Sequence, residues 1–366
     1  MTVTDPETVI EPKTAVDSEA VKQETLARWD SQQRQAVMRI FDEITPVTSG
    51  DPVLTGGETE WTPTGCRVAR GQKFSVSSTG ANIVDRDHAV ILQPKYSLWV
   101  RIGRSGPIRK IIFETETVFE AWADGEVEAF CKALSLWDGA DGAFIPGPRA
   151  AFEGGIGYSV KLSDAPVTVV NPPKNWTFMD MFGEVTIFSG TGTDILVDTH
   201  DGDCCILQTP LDVPLNELTR LSWSWLVEKL PSELPEDLAL THDYISVALE
   251  FDNGRDITYL WSKELPTDYH FTCPLPWWCD RETHLIVETG TENLGKWKEE
   301  TRRVAADYRK AIGHKLPERI VGVWLIANSV LQRLGGKAHF RDIRIFEDGL
   351  HRSLVAGSGM RCYGVP

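Results

Sequence analysis

The sequence predicts a mainly β protein made of two β-sandwich domains. Short segments with alternating apolar residues recur from about residue 55 to residue 350, which is the two-residue period of strands with one buried face. Gly, Pro, Asp and Asn separate these segments, as turns between short strands require. Near the middle, the patterning is interrupted by Pro166, Pro172 and Pro173, where we place the boundary between the domains. A chain of 366 residues is long enough for two hydrophobic cores.

Helical patterns occur at two places in the chain. Residues 17–46 carry an incomplete apolar stripe that includes Leu26, Trp29 and Phe41, which predicts a helix that packs on the rest of the chain or forms a homodimer contact. Residues 293–317 have apolar residues near helical spacing and predict one amphipathic helix in the second domain. The predicted organisation is a disordered tail (1–16), the N-terminal helix (17–46), sandwich one (55–165), sandwich two (175–350) and a C-terminal tail (351–366).

Composition narrows the classes of partner and location. The formal net charge is −16 and there is no basic run, so nucleic acid and anionic membranes are excluded as partners. No apolar stretch approaches the about 20 residues that span a bilayer. The acidic N-terminus lacks the pattern of a secretion signal, which predicts a cytoplasmic protein. The seven cysteines are irregularly spaced and are expected to be reduced thiols.

Residues 180–348 resemble a bacterial β-sandwich family of unknown function. The resemblance rests on RLSWSWLVEKLP, HDYISVALEFDNG, ITYLWSKELP, the segment GKWKEETRRVAADY and KAHFRDIRIFED, in that order. It implies a β-sandwich and gives no activity. Members of that family carry a run of Asp and Asn after the VWLIA strand, whereas this chain reads NSVLQRLGG there.

Two further resemblances concern the first domain and the whole chain. The stretches TGCRVARGQKFSVSSTG and LWVRIG resemble galactose-binding-like lectin domains, which hold calcium among Asp and Asn residues. Only Asp138 and Asp141 match that pattern, too few oxygen donors for calcium. The length and the two Trp-rich sandwiches behind an N-terminal helix resemble the fungal hetero-Diels–Alderases of tropolone–sesquiterpene pathways, which implies cyclisation without a cofactor.

The sequence lacks the common catalytic and cofactor motifs. It has no GxSxG elbow, no P-loop and no Rossmann glycine pattern. None of the eight histidines forms a His-x-His or HExxH pair, so the sequence predicts no metal site and no cofactor. An enzyme of this kind would work by holding its reactants in register and by proton transfer.

The strand HDYISVALEF (242–251) suggests where such chemistry would occur. Its alternate residues, from Ile245 to Phe251, are apolar, and the other face carries His242 and Tyr244. We predict these two residues as the catalytic proton donor or acceptor. The alternative is that His242 is a surface or hydrogen-bonded histidine without a catalytic role.

Aromatic and polar side chains on neighbouring strands are the candidate substrate-binding residues. They lie on strands and on a Pro- and Trp-rich loop (266–284) that is typical of a lid, and they comprise Trp223, Tyr259, Trp261, Lys263, Trp277, Trp278, Trp324, Asn328 and Arg333. For the strand tryptophans the alternative is a place in the hydrophobic core, and for Lys263 and Arg333 it is a solvated charge.

Two main functions follow, with an enzyme favoured. The first is a cofactor-independent enzyme that dehydrates and cyclises a hydrophobic polyketide- or terpenoid-like substrate. The alternative is a non-catalytic carbohydrate-binding sandwich protein that presents aromatic platforms. A third possibility is a scaffold whose sandwiches bind only other chains.

Overall fold

The structure is a computed structural model of the 366-residue chain. It describes residues 20–30, 44, 47, 50–85, 90–104, 107–132, 152–179, 182–190, 193–200, 202–275, 278–347 and 350–354. The predicted mainly β fold is confirmed, because strands dominate these residues. Among them, no helix is both long enough and apolar enough to cross a bilayer. Outside the described residues lie the predicted N-terminal tail, residues 355–366 of the predicted C-terminal tail, Asp138, Asp141 and Trp277. Residues 351–353, at the start of that predicted C-terminal tail, belong to a strand.

The first half of the chain forms two sheets that enclose one core. One sheet has the order β1-β9-β3-β4 with β7 also paired to β3, and the other has the order β2-β8-β5-β6. Their inner faces meet in one hydrophobic cluster that includes Phe74, Val100 and Ile156. The elements are β1 (Val53–Leu54), β2 (Thr62–Val68), β3 (Lys73–Asp85), β4 (Val90–Leu92), α2 (Pro94–Ser97), β5 (Leu98–Ile102), β6 (Arg109–Lys110), β7 (Thr117–Glu120), β8 (Gly125–Cys131) and β9 (Glu153–Leu162).

The second half forms a larger pair of sheets. The seven-stranded sheet has the order β10-β13-β20-β15-β16-β18-β17, and the six-stranded sheet has the order β11-β12-β21-β14-β19 with β22 paired to β21. The strands are β10 (Thr177–Phe178), β11 (Phe188–Gly190), β12 (Ile195–Asp198), β13 (Cys204–Pro214), β14 (Arg220–Lys229), β15 (Tyr244–Phe251), β16 (Asp256–Ser262), β17 (His270–Thr272), β18 (Glu282–Thr289), β19 (Trp297–Arg303), β20 (Arg319–Asn328), β21 (Lys337–Glu347) and β22 (Leu350–Ser353). Two short helices complete it, a 3₁₀ helix (Ala239–Thr241) and α3 (Val304–Ala311).

Tryptophan and tyrosine rings fill the core between these two sheets. Trp223 and Trp225 on β14 point inward and meet Tyr259 and Trp261 on β16, with ring centroids 5.4 Å apart in both pairs. All four side chains are fully buried. The alternate aromatic residues of β14 and β16 therefore belong to the hydrophobic core, and these rings account for part of the high Trp content.

The N-terminal helix packs against the second sandwich. The structure describes residues 20–30 of the predicted 17–46 segment as helix α1. Trp29 is buried, and both terminal nitrogens of Arg28 donate to the Glu264 carboxylate, at 2.9 and 2.7 Å. The helix is thus held by its own chain, and the homodimer contact stays a prediction.

The predicted C-terminal amphipathic helix is wrong in its first half. Residues 297–303 form strand β19, which pairs with β14 as an edge strand, and only Val304–Ala311 are helical. In this strand Trp297 and Glu299 lie on one face of the sheet, and Lys298 and Glu300 lie on the other. An open edge of β14 offers it backbone hydrogen bonds, and such tertiary pairing overrides a helical pattern.

Glu300 on β19 gives a pH-dependent contribution to stability. Burial, with repulsion from Glu288, raises the pKa of its carboxyl to about 7. Because the pKa of this carboxyl is higher in the folded than in the unfolded chain, its ionisation destabilises the folded chain as the pH rises from the unfolded-state pKa through 7. We expect Glu300→Gln to be more stable than the parent by about 1 kcal/mol at pH 8, after allowance for partial exposure, and equal to it near pH 5. Urea unfolding at both pH values measures this, and an equal gain at both would contradict it.

The two sandwiches contact each other through a short polar junction. The Tyr96 hydroxyl on α2 donates to the Asp203 carboxylate, and Lys95 Nζ lies 3.3 Å from the same group. Beside them, Arg333 Nη2 donates to Gln93 Oε1 at 3.3 Å. Asp203 is buried and forms part of this contact between the sandwiches.

Candidate metal centre

The outer face of the seven-stranded sheet is polar and yet buried. On β15, Ile245, Val247 and Leu249 point into the core, as the alternation predicts, while Tyr244 and Ser246 point to the opposite face. Tyr244 is 5% exposed and Ser246 is fully buried. A second apolar cluster covers this face, with contributions from Met179, Phe182, Leu265, Phe271 and Trp278 on the surrounding segments. The polar face of HDYISVALEF is therefore not solvated.

Four side chains with metal-binding atoms converge under this cover. They are His242, Cys273, Glu282 and His284, and one ligand atom from each lies within 4.8 Å of all the others. All four residues are buried. Glu282 and His284 are two residues apart on β18, so the strand period puts both on one face. Cys273 follows the edge strand β17, and His242 directly follows the 3₁₀ helix.

The hydrogen bond to the His242 ring fixes its tautomer. Nδ1 lies 2.6 Å from the backbone oxygen of Glu236, which can only accept, so Nδ1 carries the proton and donates it. Nε2 therefore presents a lone pair, and it faces Cys273 Sγ at 3.5 Å. Asn328 Nδ2 donates to the backbone oxygen of His242 at 2.6 Å and holds the residue in place. Metal-ligating histidines are commonly oriented by such a bond to a backbone oxygen.

Two hydroxyl groups orient the carboxylate of Glu282. The Tyr244 hydroxyl and the Thr258 hydroxyl both donate to Oε1, each at 3.1 Å. The second oxygen, Oε2, lies 3.6 Å from His284 Nε2. One carboxylate oxygen is thus held by two donors, and the other points into the cluster.

His284 lacks the hydrogen bonds that a buried imidazole requires. Both ring nitrogens are buried, and neither has a hydrogen-bond partner among the described residues. Leaving a buried polar group unsatisfied costs about 1–3 kcal/mol. A bound metal ion at one nitrogen would remove part of this cost.

At two of the four residues, His242 and Glu282, the surroundings favour the protonation state that a metal ion needs. Burial, and then the neighbouring His284, lower the pKa of His242 to about 3, so this ring is neutral at pH 7. Burial alone would raise the pKa of Glu282, but His284 and His242 hold it below its usual range, which keeps the carboxylate ionised. Burial and the charge of Glu282 raise the pKa of the Cys273 thiol. A metal ion would have to displace that proton, as metals do at thiol ligands.

Two of the six distances between the ligand atoms fit tetrahedral coordination; the other pairs lie within 4.8 Å, so the side chains would have to move closer together to bind one ion. With bonds of about 2.0–2.3 Å to nitrogen, oxygen and sulfur, the edges of a zinc tetrahedron measure about 3.3–3.8 Å. The pairs Cys273 Sγ–His242 Nε2 and His284 Nε2–Glu282 Oε2 measure 3.5 and 3.6 Å, respectively. A donor set of two imidazoles, one thiolate and one carboxylate suits zinc and the neighbouring divalent transition metals.

A second charged group borders the cluster. Asp256 on β16 lies opposite Glu282 on the neighbouring strand β18 and is fully buried. Burial and repulsion from Glu282 raise the pKa of its carboxyl. Arg281 Nε donates to Asp256 at 3.3 Å, and its guanidinium lies over the rings of Trp278 and Trp324, at 5.1 and 5.2 Å from their centroids. This arginine therefore packs against two of the tryptophans on the covered outer face.

The structure brings together some of the predicted site residues. His242, Tyr244, Trp278, Trp324 and Asn328 all lie on or around the covered outer face. Their roles in binding or catalysis stay predictions.

Other predicted site residues lie elsewhere. Trp223, Tyr259 and Trp261 are in the core between the sheets, on the opposite face from Tyr244, because Tyr259 pairs with the inward-facing Val247. Lys263 lies beyond the end of β16, and Arg333 lies at the junction between the sandwiches. The expectation that all these residues line one pocket with His242 does not hold.

Cys273, Glu282 and His284 are not among the site residues predicted from the sequence. The sequence predicts no metal site, but paired-histidine motifs give no information on side chains that come from separate segments of the chain. The spacing Glu-x-His on one predicted strand, at 282 and 284, was the available signal.

The second half of the chain matches a known family without an assigned function. Residues 176–344 match the family described as "Protein of unknown function (DUF3047)", which agrees with the resemblance noted for residues 180–348. No curated protein matches the chain.

Solved structures similar to this chain include proteins whose titles name saccharides. The xyloglucanase domain of NopAA from Sinorhizobium fredii, in complex with cellobiose, is 13% identical, with a TM-score of 0.28, over 51% of this chain and 92% of that one. TmCBM61, in complex with β-1,4-galactotriose, is 10% identical, with a TM-score of 0.23, over 48% and 91%. SGBP-B from a xyloglucan utilization locus in Bacteroides uniformis is 9% identical, with a TM-score of 0.19, over 81% and 72%.

These similarities do not decide between the predicted functions, and none of the matches reported above is to a hetero-Diels–Alderase. TM-scores below 0.5 carry no functional conclusion for this chain. The function must therefore be argued from the chain's own residues.

Proposed function

We propose that the second sandwich binds one divalent transition-metal ion, most readily zinc, through His242, Cys273, Glu282 and His284. The observation that carries this proposal is the convergence of four ligand atoms within 4.8 Å in a buried site. Four protein ligands complete a tetrahedron and leave no position for a substrate, which is typical of a structural metal site. The ion would join the end of the edge strand β17 and the turn before β15 to β18, the neighbour of β17.

The surrounding hydrogen bonds support this assignment. The Glu236 backbone oxygen orients His242, and Tyr244 and Thr258 orient Glu282. Partners of this kind are usual around metal ligands. In this proposal His242 is a ligand and Tyr244 a positioning residue, in place of the proton-transfer roles that the cyclase hypothesis gives them.

The test is the metal content of the full-length chain, purified without an affinity tag and measured by inductively coupled plasma mass spectrometry. We expect about one ion per chain after exposure to Zn²⁺, and a thiolate charge-transfer absorption after replacement by Co²⁺. Cys273→Ser and His284→Gln should each lower the content severalfold. The matched controls are Cys279→Ser and His270→Gln, which change exposed residues of the same region.

A folded parent protein that takes up neither Zn²⁺ nor Co²⁺ would contradict the proposal, even if the ligand variants fail to fold. Equal loss of metal in the two control variants would also contradict it. The Co²⁺ absorption identifies thiolate ligation in the parent alone and does not depend on any variant.

The two functions predicted from the sequence need a site that a substrate can reach. The four-residue cluster is buried and closed, so a saccharide or a hydrophobic substrate would bind to another part of the chain. The hydrophobic substrate of the cyclase hypothesis stays a prediction.

A further inference from the structure

The loop that holds His242 is not fixed by strand pairing. Residues 230–243 connect β14 to β15, and none of these residues, each of which the structure describes, belongs to a strand. The three other metal ligands lie on β18 or directly after β17, where backbone pairing fixes the chain. The position of the His242 ring therefore depends on hydrogen bonds made within and around this loop.

The carboxylate of Glu236 anchors this loop. Glu236 is fully buried. Its Oε1 accepts hydrogen bonds from the Ser232 hydroxyl at 2.6 Å and from the Lys263 backbone N–H at 2.8 Å, and its Oε2 accepts one from the Ser262 hydroxyl. Hydrogen bonds to a carboxylate are among the strong ones, so three of them hold the group in one position. They tie the loop to the end of β16.

The backbone of the same residue contacts the metal ligand. The backbone oxygen of Glu236 accepts the hydrogen bond from His242 Nδ1 at 2.6 Å. Because the carboxylate is held by three donors, the backbone of Glu236 cannot shift without breaking those bonds. The bond from Asn328 reaches the backbone oxygen of His242 and leaves the orientation of the ring open. The ring is therefore oriented by Glu236.

The same anchor reaches the segment that leads to Cys273. Ser262 is the last residue of β16, where the crossing to β17 begins, and Cys273 follows β17. The Ser262 hydroxyl oxygen also accepts from the backbone N–H groups of residues 264 and 265, at 3.2 and 2.9 Å. The loop that carries His242 and the start of the crossing are thus joined through one carboxylate.

We propose that Glu236 is a positioning residue of the metal centre. Its carboxylate fixes its own backbone oxygen and, through that oxygen, the direction of the lone pair on His242 Nε2. The inference rests on the metal centre proposed above and concerns a residue that does not touch the ion. Partners that orient a metal-ligating histidine typically contribute about 10–100-fold to metal affinity. Loss of the Glu236 carboxylate should therefore weaken metal binding although all four ligands are present.

Glu236→Gln tests this role because it keeps the shape of the side chain and cannot accept all three hydrogen bonds. With the amide oxygen in the place of Oε1, the amide nitrogen would face the Ser262 hydroxyl oxygen, which already accepts two N–H groups. We expect Zn²⁺ to bind about tenfold more weakly than to the parent, measured by competition with a chromophoric chelator. The visible absorption bands of the Co²⁺ form should shift, because the ligands are unchanged and their geometry is not.

Three further variants separate positioning from a general loss of stability. Glu233→Gln changes an exposed carboxyl of the same loop and should bind Zn²⁺ as the parent does. Trp223→Ala changes the core between the sheets and should leave the Zn²⁺ affinity of the folded chain unchanged. In a chain that carries His242→Ala, adding Glu236→Gln should cause no further loss of affinity, because the residue acts through His242.

Equal Zn²⁺ affinity of Glu236→Gln and the parent would overturn this inference and leave the metal centre standing. A loss that persists in the His242→Ala chain, or an equal loss in Trp223→Ala, would also overturn it, since Glu236 would then act elsewhere or only on stability. A parent chain that binds neither Zn²⁺ nor Co²⁺ would overturn the metal centre and this inference together. Should Glu236→Gln not fold, Ser232→Ala removes one of the three bonds and should weaken Zn²⁺ binding about threefold; no change there would count against the inference.

Discussion

Removing the metal ion that we propose for the second sandwich is expected to lower the melting temperature by about 10 °C. A ligand present at about 1,000 times its dissociation constant stabilises the folded state by about 4 kcal/mol, and each kcal/mol corresponds to about 2–4 °C for domains of this size. Without the ion, the His284 nitrogens and the Cys273 thiol stay buried without strong partners. Differential scanning calorimetry before and after treatment with a chelator measures the change.

The matched variants make this measurement specific to the site. Cys279→Ser should respond to the chelator as the parent does. Cys273→Ser should melt lower from the start and should no longer respond. If Cys273→Ser keeps a full response to the chelator, the stabilising ion lies elsewhere and the assignment of this cluster is wrong.

Trp223→Ala is expected to destabilise the second sandwich by about 3–5 kcal/mol. Trp223 is fully buried between the two sheets, against Trp225 and Tyr259, and truncation leaves a cavity that the rigid sheets cannot close. Urea unfolding, followed by the loss of Trp fluorescence, gives the change in free energy.

Trp297→Ala is the control for this substitution. Trp297 is on the outer face of the six-stranded sheet, where the Arg341 guanidinium lies 3.7 Å from its ring centroid. We expect a cost of about 1 kcal/mol or less, since the ring is only half-buried and loses one cation–π contact. Equal costs for the two tryptophans would contradict the assignment of Trp223 to the central core.

The fold was largely predictable because it depends on local patterns. The alternation of Ile245, Val247 and Leu249 identifies both the strand and its buried face. Residues 297–303 were predicted less well, because their conformation depends on the open edge of β14, which is more than 60 residues earlier in the chain. No local pattern contains that information.

The candidate site was predictable only in part, for a related reason. His242 and Tyr244 were selected because they share the polar face of one strand, and that face does carry the cluster. Cys273 and Glu282 belong to other strands, and their proximity to His242 depends on strand order, which alternation does not encode. Tyr259 was placed with them because the period of β16 does not say which of its two faces meets the core.

One feature of the sheet explains why the cluster is covered. Strands β16 and β18 run parallel as neighbours, whereas β17, between them in sequence, lies at the far edge beyond β18. Parallel neighbours cannot be joined by a tight hairpin, so the chain has to pass across one side of the sheet to reach that edge. Leu265 belongs to this crossing and Phe271 to β17, and both belong to the apolar cluster over the covered face. The polar cluster is therefore covered because of the order in which the chain connects the strands. Shortening residues 263–281 enough to expose the cluster would also prevent β18 from pairing with β16 in the sheet.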